Sequence, residues 1–137
     1  MTRKLPLLNA DTAPFWQGGA NGLLNMCHCG GCQRFFHPPA PICPQCLSGN
    51  VGPRAVSGKG IVVSFTVNHQ AWTPTLPVPY VVAIIELVEQ PGLRFVSNIV
   101  GMPADDVRID MPVKVSFEQV EDVWIPLFEP DTSRSAA

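Results

Sequence analysis

Four of the chain's five cysteines stand in two pairs, Cys29-Gly30-Gly31-Cys32 and Cys43-Pro44-Gln45-Cys46, with ten residues between the pairs. Two Cys-x-x-Cys turns at this separation let four thiolates converge tetrahedrally on one ion, with turn amides free to hydrogen-bond sulfur. Glycine inside the first pair and Pro44 inside the second suit such turns, since one tolerates unusual dihedrals and the other pre-sets one. The expectation is a structural metal site, zinc, ligated by Cys29, Cys32, Cys43 and Cys46. Iron is the rival metal, because four thiolates also suit it, and with it comes a redox centre. Disulfides are the other use of such cysteines. The paired spacing, in a chain without a recognisable secretory leader, favours metal ligation in an intracellular protein.

Cys27 is the odd thiol. It could replace Cys29 through a longer first loop, but is read as free. His28 and His37 are near enough to substitute as ligands, and four cysteines leave them no vacancy. His69 is the remaining histidine and is read as a loop residue without a role. The sequence contains no Ser-x-x-Lys, Gly-x-Ser-x-Gly, His-Glu-x-x-His or phosphate-cradling glycine loop. Four sulfur ligands would also close the metal's coordination shell to a catalytic water. The reading is a protein without a catalytic constellation of its own.

The elements that must position these cysteines are short. The chain has 137 residues, 46% hydrophobic and 15% charged, with 15 prolines and 11 glycines. That composition excludes a disordered chain and long helices, and favours short strands and turns around a real core. Residues 1–22 read as an arm and a short helix, with Asp11 or Thr12 as N-cap, Pro14 in the first turn and Gly18-Gly19 as its end. Phe15 and Trp16 are expected to pack against the rest of the chain. Residues 23–53 read as the metal-held ribbon, with a strand at 23–26 entering the first turn and one at 33–37 leaving it. Hairpins of this size are too small for a core and are held by the ion instead. Residues 48–54 read as a linker.

Residues 54–130 read as a barrel. From Gly60 to Asn68, Ile61, Val63, Phe65 and Val67 alternate with Val62, Ser64, Thr66 and Asn68, the period of a strand with one face in a core. Strands follow at 80–88, apolar on both faces like a covered central strand, and at 93–100, 113–120 and 123–128. Pro103 opens a helical turn between the third and fourth. Five strands with that turn match the order of an OB-fold. The tail, polar from Glu129, is expected to fray over 131–137.

Net charge of −2 provides no attraction for a phosphate backbone, and in the barrel segment Lys59, Arg94, Arg108 and Lys114 are outnumbered by acids. Single-stranded nucleic-acid binding by the barrel, which needs a basic groove with stacking aromatics, is therefore the weaker alternative, beside rubredoxin-like electron transfer. No stretch approaches the roughly 20 apolar residues of a membrane span, and the expected location is the cytoplasm. The uncharged loop from Gln70 to Pro79, which contains Trp72, is the expected docking surface for a partner.

Pro14-Phe15-Trp16 with Gly22-Leu23, the cysteine pairs flanking Pro38-Pro39, Ser57-Gly58-Lys59-Gly60, Val78-Pro79-Tyr80-Val81-Val82-Ala83 and Gly101-Met102-Pro103 together resemble the DUF35 family. The resemblance runs from about residue 11 to residue 130, and departs at Ala40-Pro41-Ile42, where many members carry an arginine. It implies a short N-terminal helix, a rubredoxin-like zinc ribbon and an OB-fold, with the metal ligands at Cys29, Cys32, Cys43 and Cys46. It also implies a non-catalytic accessory subunit, in a homo- or hetero-oligomer, that helps a thiolase-superfamily enzyme handle an acyl-CoA in lipid or steroid metabolism. On that reading Phe35, Phe36 and Trp72 would stack on or line a groove for the CoA moiety, and Arg34 and Lys59 would meet phosphate.

Overall fold

The computed structural model describes residues 5–71 and 77–132. Helix α1 (Ala13–Gln17) runs directly into a 3-10 turn, Gly18–Asn21. Strands β1 (Leu24–Cys29), β2 (Phe35–Phe36) and β3 (Val51–Val56) form an antiparallel sheet in the order β2-β1-β3. A closed barrel follows, built from β4 (Lys59–Asn68), β5 (Tyr80–Leu87), β6 (Arg94–Ile99), β7 (Pro112–Val120) and β8 (Val123–Pro130). Its order is β4-β5-β6-β8-β7, with a 3-10 turn at Ala104–Asp106 between β6 and β7. This is the mostly β architecture of ribbon and five-stranded OB-fold that the strand periods predict.

Several local expectations are corrected. Gly18 caps the C-terminus of α1 as expected, but the chain does not leave there. The chain tightens and leaves through Gly22 at φ 72°, a left-handed position that suits glycine. Gly19 is required by close approach: a Cβ there would collide with the Trp124 Cβ and lie 2.7 Å from the Phe117 ring. The Thr12 side chain makes no cap bond to the helix. Asn9 Oδ1 instead accepts from the amides of Asp11 and Thr12, so the turn before the helix is fixed by Asn9. Residues 48–54 are not a plain linker, since β3 pairs with the whole of β1 from Leu24↔Val56 to Cys29↔Val51.

In the barrel, strict alternation along β4 fails because the register with β5 shifts between Val62 and Ser64. That bulge puts Gly60 and Val62 inside before it and half-buried Phe65 and Val67 against the core after it. It also lets one strand pair with β7 at Lys59–Ile61 and with β5 along most of its length. Nor is β5 covered on both faces. Val81, Ala83, Ile85 and Leu87 are buried, whereas Ile84 is 38% exposed. A barrel has one interior, and among the described residues no second layer covers Ile84 on the outer face of β5. At the other end β8 continues to Pro130, and Asp131 is buried with its amide donating to the Pro112 carbonyl.

Ribbon and barrel share one core. Leu24 and Met26 of β1 and Phe15 of α1 pack in the same cluster as Val62, Ile85 and Phe128. Full burial of such side chains contributes about 1.5–3 kcal/mol each. A polar clasp reinforces the joint: the Phe35 amide donates to Gln90 Oε1 at 2.9 Å, and Gln90 Nε2 donates to the Phe35 carbonyl at 2.9 Å. A turn residue between β5 and β6 thereby serves as a one-residue strand partner for β2. No helix among the described residues is long and apolar enough to cross a membrane.

Candidate metal centre and ligand hollows

The two cysteine turns are built alike. Cys29 ends β1, and its amide donates to Arg34 O at 2.8 Å; the Cys43 amide donates to Ser48 O at 2.9 Å. Gln33 N reaches Cys29 O, and Leu47 N reaches Cys43 O, each at 2.9 Å. Gln33 and Leu47 both take a left-handed conformation, φ 63° and 64°, which turns the chain out of each knuckle. Turn amides then point at sulfur: Gly31 and Cys32 donate to Cys29 Sγ at 3.3 and 3.4 Å, and Gln45 donates to Cys43 Sγ at 3.4 Å.

The four sulfurs lie within 4.8 Å of one another. Cys29 Sγ is 3.5 Å from Cys46 Sγ, and Cys32 Sγ is 3.7 Å from Cys43 Sγ. A tetrahedral ion with metal–sulfur bonds of about 2.3 Å needs sulfur separations of about 3.8 Å. The donor set and its spacing fit a thiolate-held zinc, and both contacts are far longer than a disulfide of about 2.05 Å. The electrostatics ask for a cation. Turn amides, that of Cys32 foremost, lower Cys29 to about 6, and the Cys46 amide foremost lowers Cys43. Desolvation and the neighbouring thiols push Cys32 up to about 12. Four sulfurs this close cannot all ionise without a counter-charge, which a divalent ion supplies.

Cys27 lies outside the cluster, buried, with Sγ 3.9 Å from Ala40 O, and burial raises its thiol. His28 is no ligand either: its ring packs edge-on against Phe35 at 4.8 Å. His37 packs on Phe15 at 4.8 Å and Phe95 at 5.5 Å, and burial lowers its pKa. His69 is exposed just after β4.

Of the residues predicted to hold a CoA moiety, Arg34, Phe35 and Phe36 line one cleft of about 200 Å³ between the second knuckle and the β5–β6 turn. Arg94 completes that cleft, a residue the sequence reading did not select. Its Nε donates to Glu86 Oε1 at 2.9 Å, and this contact, with the Gly92 amide, holds the Glu86 carboxyl below its usual range. Lys59 is exposed at the β4–β7 edge, paired with Lys114, and does not line the cleft. Trp72 and half of the uncharged loop, residues 72–76, lie outside the described residues. A larger hollow of about 520 Å³ went unread in the sequence. It lies between α1 and strands β6 and β8, with Trp16, Val96 and Ile125 in its walls. Only the folded register could reveal it, because its walls come from four distant segments.

A four-cysteine ribbon fused to an OB barrel defines the class of protein. Residues 16–52 match the model of the ChsH2 rubredoxin-like zinc ribbon domain, and residues 53–118 match that of the ChsH2 C-terminal OB-fold domain. The chain is 37% identical over 99 residues to a DUF35 domain-containing scaffold protein of Methanothermobacter thermautotrophicus, covering 69% of this chain and 71% of that one. It belongs to the DUF35 family. A solved structure described as the Ltp2-ChsH2(DUF35) aldolase contains a chain 35% identical to it, with a TM-score of 0.82, covering 92% of this chain and 98% of that one. A probable enoyl-CoA hydratase alpha subunit of Thermomonospora curvata is 35% identical over 129 residues, which are 93% of this chain. This chain spans 40% of the length of that relative.

Proposed function

We propose that this protein is a non-catalytic, acyl-CoA-binding accessory subunit of a thiolase-superfamily enzyme, of the thiolase, aldolase or hydroxymethylglutaryl-CoA synthase type, acting in the cytoplasm on acyl-CoA, lipid or steroid metabolism. The observation that carries this reading is the likeness to a chain of the Ltp2-ChsH2(DUF35) aldolase along 98% of that chain's length. The chemistry of the chain agrees. Cys29, Cys32, Cys43 and Cys46 fill all four positions of a tetrahedral zinc and leave none for a water nucleophile, so the ion stiffens the ribbon rather than reacting. Exposed Ile84 pairs with exposed Val96 on the outer face of β5 and β6, apolar area of the kind that a partner covers. For the CoA moiety the best-placed of the predicted residues are Arg34, Phe35 and Phe36, which share a cleft. Lys59 and Trp72 are contacts expected from the family resemblance.

The test is affinity purification of the tagged protein from its native cell. Recovery of a stoichiometric CoA-thioester enzyme, with one zinc per chain of this protein, is expected. Recovery of the protein alone, with no retention on a CoA matrix, would refute the proposal.

A further inference from the structure

The cleft beside the second knuckle and the larger hollow over β6 share two wall residues, His37 and Arg94. They are adjacent, yet their linings differ. The cleft carries two guanidinium groups, Arg34 and Arg94. The larger hollow is walled mainly by apolar groups, among them Phe15, Trp16, Ile125 and Leu127. Its volume, about 520 Å³, falls in the range of about 300–1,000 Å³ typical of small-molecule sites.

Two features lie at this boundary. His37, which lines both hollows, has a buried Nδ1 with no hydrogen-bond partner among the described residues. The ladder between β6 and β8 consists of the single pair Ile99↔Phe128. The hollow lies where the strands part, against residues 94–98 and 125–127, with Ser97 Oγ donating to the Pro126 carbonyl across it at 2.8 Å. Parted strands of this kind suit a ligand that carries amides along an extended arm. At the other end Arg94 is engaged through Nε by Glu86, which offsets part of its charge. Exposed Arg34, with no ion pair among the described residues, is the cleft's other cation for an anion.

We propose that the two hollows form one bipartite site for a linear amphiphile, with its phosphate end against Arg34 and Arg94 and its apolar, amide-bearing arm in the hollow along β6. The inference rests on the accessory role above and deepens it: an acyl-CoA has phosphates at one end, amides along its arm and an acyl chain at the other. Lys59 lines neither hollow.

The zinc-loaded full chain is titrated calorimetrically with decanoyl-CoA, unacylated CoA, S-decanoyl-pantetheine and free decanoate. Decanoyl-CoA should bind tightest. Arg34→Glu should weaken decanoyl-CoA about tenfold, the scale of one charge-assisted phosphate contact, and leave S-decanoyl-pantetheine within about twofold. Val96→Trp places bulk in the apolar wall at a position 64% exposed, so the fold tolerates it. It should weaken both decanoyl thioesters and spare unacylated CoA. Unchanged zinc content and melting temperature establish that both variants are folded. Absence of binding by the parent chain, equal loss for every ligand in both variants, or decanoate matching decanoyl-CoA would overturn the bipartite site. Arg34→Glu, which lies away from the apolar face of Ile84 and Val96, should still bring down the partner enzyme, so a failure here is distinct from a failure of the accessory role.

Discussion

Replacing Gln90 should loosen the joint between ribbon and barrel in a way that depends on which half of the clasp survives. Gln90→Ala removes two hydrogen bonds of 2.9 Å to the main chain of Phe35. At a net contribution of about 0.5–1.5 kcal/mol each, the expected loss is about 2 kcal/mol. For a domain of this size that lowers the melting temperature by about 5–10 °C. Gln90→Glu keeps an acceptor for the Phe35 amide but sets a carboxylate against the Phe35 carbonyl. At neutral pH it should melt at or below the alanine variant. The folded state raises the pKa of that carboxyl, because its protonated form restores the lost donor. The resulting stabilisation is therefore present in full below the unfolded value of about 4.3 and disappears as pH rises through the folded pKa. Differential scanning calorimetry of the parent and both variants between pH 4 and pH 8 reads this directly. Equal melting temperatures for all three proteins, or a glutamate variant that tracks alanine at every pH, would refute the view that Gln90 holds the two parts in register.

Cys43→Ser and Cys46→Ser should each release the metal and speed amide exchange across the ribbon from β1 to β3; full metal content in both variants would mean that the ligands are misassigned. Gly19→Ala should cost about 1–3 kcal/mol, since its methyl meets Trp124 and Phe117 in a packed contact, and an unchanged denaturant midpoint would contradict that geometry. Burial lowers the His37 pKa, so the neutral ring contributes stability above its unfolded value of about 6.5 that is lost as pH falls through the folded pKa. His37→Phe should therefore flatten the loss of stability between pH 7 and pH 5, and a difference profile that does not vary with pH would count against it.

What the sequence disclosed, and what it hid, follows from the range of the interactions. The cysteine turns are local, with every amide that points at sulfur within three residues of its target, so spacing alone located them. The five barrel strands were legible because an apolar run bounded by turn residues is a property of each segment by itself. The bulge at Val62–Ser64 was not, since it depends on one strand serving two neighbours. β3 was missed because Gly52 and Pro53 mimic a linker, although the strand is specified by its long pairing with β1. Arg34, Phe35 and Phe36 line one cleft because they are adjacent in the sequence. Arg94 and the hollow over β6 could not be found that way, because β6, β8 and α1 meet only after the barrel closes. Gln90 gave no signal at all, its partner being 55 residues away.

The central claim is that the chemistry belongs to the partner and the scaffold to this chain. The most direct measurement is turnover of an acyl-CoA by the complex purified from the native cell, repeated for each subunit after separation and again after recombination. The account predicts no turnover by the zinc-loaded chain alone and recovery of activity when it is returned to the enzyme. Turnover by the isolated chain would contradict it.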